Sequence, residues 1–299
     1  MMQSLILSRI APSIGLWLMR MLPRKQAYSL AAFVARKMAK RQGNSLVQGA
    51  RVNQAGIRGV DYRDPSLDEV VRDVYVNSAL GFVDFFKAVG HGKEAVLAAC
   101  EMAPKFKQAL DEGVANERGL VVVGAHLVGF DFFLLFLGLR GYPVQALSYA
   151  NPQGSYTAQN ELRRRFGVDL TPISTKSLRR AFRELKEGRT VLTGVDRPGL
   201  GGEELIFFGR PTVLPVGHAR LAVRTNSPIL LGIPHINRPG HYRAEFGGLF
   251  EPRQDLPQDE AVRLLAQQVI SGIEEYITRW PDQWLMFYPC WPELMEQAA

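Results

Sequence analysis

The stretch Gly119-Leu-Val-Val-Val-Gly-Ala125 decides the fold class of this chain. It is a short apolar run rich in β-branched residues, which is typical of a strand buried on both faces of a parallel sheet. Similar runs recur along the chain, and segments with helical spacing separate them. This alternation predicts an α/β fold with a mixed, mostly parallel central sheet flanked by helices.

Apolar spacing and the positions of Gly and Pro predict the elements around this strand. Ser66-Leu-Asp-Glu69 indicates a capping box that starts a helix ending near Gly90. We expect further helices near 104–113, 129–140, 156–166, 177–187, 215–226 and 259–280, and strands near 143–147, 168–173, 190–195, 228–236 and 242–246. Because the chain has no Ser/Gly-rich linker and no repeat, we expect one domain over 1–299.

The composition excludes several classes of protein. With 46% hydrophobic and 22% charged residues among 299, the chain is globular and not disordered. Its two cysteines, Cys100 and Cys290, lie far apart, so we expect neither a disulfide framework nor a Cys-rich zinc site. A reducing compartment is therefore the default expectation.

Positive charge is concentrated in the first part of the chain. Positions 1–60 contain ten of the 36 Lys and Arg residues and no Asp or Glu. The same segment carries an apolar stripe at helical spacing, formed by Ile6, Ile10, Ile14, Leu18 and Met21. Its uncharged run at 10–19 is shorter than the roughly 20 residues that a membrane-spanning helix needs.

We therefore expect residues 1–42 to form a basic amphipathic segment that associates with membrane lipids. An ordinary buried helix with a basic face and an organelle transit peptide remain alternatives. Nucleic acid is not an expected partner, because the basic residues are interleaved with aliphatic ones and no nucleic-acid-binding module follows.

Polar residues follow three of the predicted strands, at the point where reactive groups gather in open α/β sheets. His126 and Asp131 come after the strand at 119–125, and Asp196 and Arg197 come after the strand at 190–195. Asn151 comes after the strand at 143–147. We therefore expect these side chains to form a polar cluster at one edge of the sheet.

The pair His126 and Asp131 suggests a general base. We expect Asp131 in the first turn of the next helix, where the helix dipole favours an ionised carboxylate. A carboxylate that accepts a hydrogen bond from one imidazole nitrogen leaves the other nitrogen free to remove a proton from an alcohol. Such chemistry needs no metal and no enzyme nucleophile. The alternative is a structural His at a strand end, with Asp131 as a helix cap.

Other catalytic signatures are incomplete in the sequence. There is no Gly-x-Ser-x-Gly elbow of a serine hydrolase, and Gly90-His-Gly-Lys93 lacks the first glycine and the final Ser or Thr of a phosphate loop. His218, His235 and His241 match no standard metal-site spacing. We therefore expect no metal and no resident cofactor.

A run of three arginines, Arg163-Arg-Arg165, closes the predicted helix at 156–166. These residues can form a solvated helix face with favourable contacts to the helix dipole. They can equally clamp phosphate groups or an acidic carrier. The residues alone favour neither alternative.

Four segments of the chain resemble one family of proteins. Val121-Val-Val-Gly-Ala-His126-Leu-Val-Gly-Phe-Asp131 is similar to the His-x4-Asp/Glu motif of membrane lipid acyltransferases. The others are Asn160 to Gly167, Thr193 to Arg197 with Phe207 to Thr212 after it, and Pro281 to Leu285. In this order they resemble segments of the lipid A biosynthesis lauroyl/myristoyl acyltransferases and the related phosphatidylinositol mannoside acyltransferases, over nearly the whole chain.

The resemblance implies a glycerolphosphate-acyltransferase-like sheet with an apolar groove for an acyl chain. The helix at 130–139 would line this groove or simply form core. The implied roles are general base for His126, orientation of that base for Asp131, a further acidic site residue in Asp196, and substrate binding for Arg163, Arg165 and Arg197. Backbone amides at 129–131 or an arginine are candidates to stabilise the oxyanion.

The implied activity is transfer of a fatty acyl chain from a coenzyme A or acyl-carrier-protein thioester to a hydroxyl group of a lipid or glycolipid. The implied location is the cytoplasmic face of the plasma membrane, and the thioester is a co-substrate. Two alternatives remain at this point. One is an acyltransferase that acts on glycerol phosphate or lysophospholipid, and the other is a non-catalytic membrane-binding protein that keeps the fold.

Overall fold

The computed structural model describes residues 21–151 and 155–296. The apolar stripe from Ile6 to Leu18 lies outside these ranges, so the expected amphipathic segment is described only from Met21 onward. Within the described ranges, no helix combines the length and apolar character that crossing a bilayer requires.

Helices cover both faces of a central sheet. In the described ranges the α-helices are α1 (Arg24–Ala39), α2 (Ser45–Arg58), α3 (Leu67–His91), α4 (Lys93–Ala99), α5 (Pro104–Ala115), α6 (Phe130–Leu139), α7 (Ser155–Arg165), α8 (Thr175–Lys186), α9 (Gly217–Thr225), α10 (Gln258–Arg279) and α11 (Glu293–Glu296). The strands are β1 (Cys100–Met102), β2 (Leu120–Gly124), β3 (Val144–Ser148), β4 (Asp169–Pro172), β5 (Thr190–Gly194), β6 (Glu203–Phe207), β7 (Arg210–Leu214), β8 (Ile229–Arg238) and β9 (His241–Phe250).

Seven strands form the central sheet, in the order β1-β9-β8-β2-β5-β3-β4. β2 pairs in parallel with β5 and β8, and β3 pairs in parallel with β5 and β4. β8 and β9 pair antiparallel. The sheet is therefore mixed and mostly parallel, and the predicted fold class is confirmed. β6 and β7 form a separate two-stranded hairpin.

β2 lies in the middle of the sheet and is buried along its whole length. Val121 and Val123 pack into a core with α8, α9, α10 and the β6–β7 hairpin. Leu120 and Val122 point to the opposite face, where the core includes side chains of α3, α5 and α6. Burial on both faces explains why this segment is a continuous apolar run rather than an alternating one.

Some local expectations differ from the structure. Ser66 lies before the first residue of α3, but its side chain makes no capping hydrogen bond, so the predicted capping box is wrong. Instead the Asp64 carboxylate accepts from the Ser66 backbone N–H at 2.8 Å. The elements α2, α4, β1 and the β6–β7 hairpin were not predicted. α4 and β1, with 7 and 3 residues, are too short to show an apolar period.

His218 of α9 is a buried, neutral histidine. It is 2% exposed, and its Nε2 has no hydrogen-bond partner in the described part of the chain. Burial lowers the pKa of His218 from 6.5 to about 4, against the opposing effect of a hydrogen bond with the Pro215 backbone. The folded protein therefore takes up a proton here only at much lower pH than the unfolded chain.

This burial makes stability depend on pH. As the pH falls from 6.5 to about 4, the unfolded chain gains a proton at His218 that the folded chain does not. Through His218, the wild type should lose about 3 kcal/mol of unfolding free energy between neutral pH and pH 4. We expect His218→Gln to abolish this loss, because Gln takes up no proton in either state. Denaturant unfolding of both proteins across this range measures the difference. A difference in free energy that does not change with pH would contradict the assignment.

Candidate active site

The carboxyl ends of β2 and β5 bring His126 and Asp196 side by side. The two strands are adjacent and parallel, and Gly124 is in register with Gly194. His126 and Asp196 each follow these glycines by two residues, so they occupy equivalent positions at the same edge of the sheet. This is the edge at which the polar cluster was expected.

Asp196 is the centre of the hydrogen bonds at this edge. Its Oδ1 lies 2.5 Å from His126 Nδ1. Its Oδ2 accepts from the His126 backbone N–H at 2.9 Å and from the Trp284 indole N–H at 2.8 Å. Because Asp196 is 0% exposed, these donors replace the water that a charged carboxylate would otherwise bind.

The segment that follows α10 carries Trp284 to this position. The Leu285 N–H donates to the His126 carbonyl oxygen at 2.8 Å, and Leu127 pairs with Trp284 in an isolated antiparallel bridge. The sequence of the segment around Trp284 resembles a family segment but predicted no role in the site. In the structure this segment holds the turn after β2 against the buried carboxylate.

Asp131 pairs with Arg163 and not with His126, so the expected hydrogen bond between His126 and Asp131 is wrong. Asp131 does lie in the first turn of α6, as predicted. There its Oδ1 accepts from Arg163 Nε at 3.0 Å and from Arg163 Nη2 at 2.5 Å. The Arg163 side chain is only 7% exposed, and a buried guanidinium needs a carboxylate partner.

Burial and Asp196 act in opposite directions on His126. Burial lowers the pKa of His126, but the charge and hydrogen bond of Asp196 outweigh it and hold this pKa above the ordinary 6.5. Burial also raises the pKa of Asp196, whereas His126 and the Trp284 N–H hold it below the ordinary 3.8. An ionised Asp196 therefore stabilises the imidazolium that forms when His126 takes up a proton.

The hydrogen bond to Asp196 also fixes the tautomer of His126. When Nδ1–H donates to the carboxylate, the lone pair remains on Nε2. Gly194 makes room for the ring, because a Cβ at that position would lie 2.8 Å from the imidazole Cε1. Phe130 stacks on the imidazole with a centroid distance of 5.5 Å. The ring is thus held in one orientation, and 38% of the side chain stays exposed.

A cavity of about 380 Å³ lies beside His126, on the side of the sheet that α6 covers. Its apolar wall is formed by side chains of the sheet and of α6, among them Leu134, Ala146, Leu170 and Leu192. Its polar wall includes Asp131, Tyr149, Gln159, Arg163 and Arg197. Cavities of this size, with apolar walls and a few convergent polar groups, are typical of small-ligand sites.

Two of the predicted substrate-binding arginines differ in position. Arg163 lines the cavity, but Asp131 already matches its charge, and its Nη1 donates to Asn160 Oδ1 at 2.7 Å. The Arg165 side chain is 73% exposed, and its Nη2 lies 3.9 Å from Glu161 Oε1. Arg165 is not part of the cavity wall. The structure therefore brings Arg163, and not Arg165, into the cavity.

Arg197 lies in the cavity wall between two aromatic rings. Its guanidinium carbon is 4.9 Å from the ring centroid of Tyr149 and 4.1 Å from that of Tyr288. Contacts of this kind hold a guanidinium in place without neutralising its charge. Neither tyrosine was predicted as a site residue. Tyr149 directly follows β3, two residues before Asn151, which the sequence did indicate at this strand end.

The sheet and this site define an α/β protein in which the pair of His126 and the buried Asp196 lies beside a largely apolar cavity. The chain belongs to the bacterial lipid A biosynthesis acyltransferase family, whose family model matches residues 4–293.

Two curated relatives agree with this family. Both are phosphatidylinositol mannoside acyltransferases of Mycobacterium tuberculosis, from strains H37Rv and CDC 1551, and they are 28% and 27% identical to the chain over 191 residues. The matched region covers 61% of this chain and 57% of each relative. The similarity thus spans a little over half the length of the relatives.

Proposed function

We propose that the protein transfers a fatty acyl chain from a thioester of coenzyme A or acyl carrier protein to a hydroxyl group of a lipid. One observation carries this proposal: His126 Nδ1 is bound to the buried Asp196, and the imidazole lines a largely apolar cavity. Nε2 is then the nitrogen available to an alcohol beside a bound acyl chain. Family membership supports acyl transfer, and the names of the relatives support a glycolipid acceptor.

The proposed reaction is direct transfer between two bound substrates. His126 Nε2 takes the proton of the acceptor hydroxyl while the oxygen attacks the thioester carbonyl carbon. Asp196 stabilises the resulting imidazolium by its charge. When the tetrahedral intermediate collapses, the C–S bond breaks and the imidazolium returns its proton to the leaving thiolate.

The two walls of the cavity take different parts of the substrates. The acyl chain lies along the apolar wall formed by Leu134, Ala146, Leu170 and Leu192, where it is removed from water. Asp131, in the first turn of α6, and Arg163, in the last turn of α7, neutralise each other and connect the two helices, so they position the polar wall. The exposed Arg165 is placed to attract the phosphates or acidic surface of the acyl carrier from outside.

Thioester consumption by purified protein tests this function. We expect His126→Ala to lower the rate with palmitoyl-coenzyme A and a total lipid extract by about a hundredfold or more, in line with losing a general base. The matched control is His91→Ala, which changes an exposed histidine outside the cavity wall and should keep the wild-type rate. Release of free thiol gives the rate, and the radiolabelled product identifies the acceptor.

Two outcomes of this assay would contradict the proposal. Equal rates for wild type and His126→Ala would make His126 structural. No thioester consumption by the wild type, with palmitoyl-coenzyme A and with palmitoyl acyl carrier protein alike, would favour a non-catalytic membrane-binding protein. If the label appears in phosphatidic acid or a diacyl phospholipid, the acceptor is glycerol phosphate or a lysophospholipid and not a glycolipid.

Membrane association is the second part of the proposal, and the exposed face of α1 supports it. The helix packs its alanines inward, since Ala27, Ala35 and Ala39 are buried. Its large apolar side chains are exposed instead: Leu30, Phe33, Val34 and Met38. Exposed basic residues surround them: Lys25, Arg36, Lys37, Lys40 and Arg41. A helix with exposed apolar and basic side chains suits the interface of an anionic bilayer.

A buried carboxylate holds α1 in this orientation. Asp84 of α3 is 3% exposed and accepts from Arg24 Nη2 at 2.8 Å and from the Tyr28 hydroxyl at 2.6 Å. The Tyr242 hydroxyl of β9 donates to the same carboxylate at 3.0 Å. Because these bonds fix one face of α1 against α3, the large apolar residues of the other face point away from the protein.

Vesicle co-sedimentation tests the membrane surface. With vesicles of phosphatidylcholine and phosphatidylglycerol, we expect Lys37→Gln to lower the partition coefficient about fivefold, because one basic residue near an anionic surface contributes about 1 kcal/mol. We expect Phe33→Ser to lower it by about tenfold or more through lost apolar burial. Lys186→Gln and Ile206→Ser, which change exposed residues elsewhere, are matched controls. Equal losses in the controls would show that α1 is not the contact surface.

A further inference from the structure

Ser148, the last residue of β3, presents a buried hydroxyl that the fold itself does not use. The residue is 7% exposed and lines the cavity beside His126. Its Oγ has no hydrogen-bond partner among the described residues. Leaving a buried hydroxyl unpaired costs stability, and such groups persist where a ligand satisfies them.

The strand register places Ser148 across from the catalytic edge. Ala146 is paired with Leu192, and Ser148 and Gly194 each follow two residues later, so both point to the face of the sheet that this pair occupies. Both residues line the cavity. Gly194 has no side chain, and the His126 ring fills the space next to it. Ser148 and His126 therefore flank the same space above Gly194, at the top of the apolar wall.

Arg197 supplies positive charge to the same cavity. It forms no ion pair within the described ranges, and its Nε has no hydrogen-bond partner there. Tyr149 and Tyr288 hold the guanidinium without an opposing carboxylate. Arg163, by contrast, already has Asp131 as its partner. Within the described ranges no carboxylate balances the charge of Arg197, so this guanidinium can bind a negative charge that forms in the cavity.

One of the alternative donors at the start of α6 is already engaged. The Phe130 N–H already donates to the Leu127 carbonyl oxygen at 3.0 Å. The Phe133 N–H donates to the Gly129 carbonyl oxygen at 3.0 Å. An oxyanion at this helix start would have to displace a backbone bond to use the Phe130 amide.

We propose that the Ser148 hydroxyl and the Arg197 guanidinium form the oxyanion site of the transfer reaction. The inference rests on the proposed acyl transfer. As the acceptor oxygen forms its bond to the thioester carbon, the carbonyl π pair moves onto the carbonyl oxygen, which Ser148 and Arg197 bind. When the carbonyl re-forms, the pair returns, the C–S bond breaks, and the thiolate takes the proton held by His126.

Steady-state kinetics of Ser148→Ala and Arg197→Gln test the site. Because an oxyanion donor acts mainly in the transition state, we expect each variant to lower kcat by about a hundredfold and to change KM for palmitoyl-coenzyme A less than threefold. Thr190→Val is the matched control, since Thr190 also carries a buried hydroxyl without a partner but does not line the cavity. It should keep the wild-type kcat.

A binding measurement separates this role from simple substrate binding. The hexadecyl thioether of coenzyme A lacks the carbonyl oxygen, so we expect it to bind wild type and Ser148→Ala with the same Kd. If Ser148→Ala keeps the wild-type kcat, whether or not its KM rises, the inference is overturned. The proposed function is judged separately, by the rate of His126→Ala. Absence of turnover by the wild-type protein would overturn both.

Discussion

The buried carboxylate of Asp196 is the constraint on which the rest of the site depends. A charged group that is 0% exposed is tolerated only when several donors replace its water, and here the donors come from separate parts of the chain. They are the backbone and imidazole of His126, after β2, and the indole of Trp284, after α10. Satisfying one carboxylate thereby fixes the His126 imidazole, the turn that carries it and the C-terminal segment.

Because of this constraint, the two carboxylates of the site have different partners. Asp196 faces the imidazole and sets its tautomer and its pKa, whereas Asp131 faces Arg163 and matches a guanidinium that is 7% exposed. The two pairs flank one cavity from neighbouring elements. A cation without an ion pair in the described ranges, Arg197, then remains in the cavity wall between two tyrosine rings.

The parts of the site that depend on short-range sequence patterns could be predicted, and the parts that depend on contacts between distant residues could not. β2, the position of His126 at its end and the place of Asp131 in the first turn of α6 depend on short-range patterns, and these predictions are confirmed. The partner of His126 depends on which strand lies next to β2, and Asp196 is 70 residues away along the chain. Proximity along the chain pointed to Asp131 instead. The hairpin β6–β7 escaped prediction because its exposed Ile206 and Val213 blur the alternation of a half-buried strand.

The pH dependence of kcat/KM for wild type, Asp196→Asn and Asp131→Asn tests the central claim most directly. Since imidazolium cannot accept a proton, activity should fall on the acid side with a midpoint above 6.5 in the wild type. Asp196→Asn removes the charge that raises the pKa of His126, so its midpoint should move to lower pH, with a smaller shift for Asp131→Asn. An acid limb unchanged by Asp196→Asn, or a larger shift from Asp131→Asn, would contradict the account.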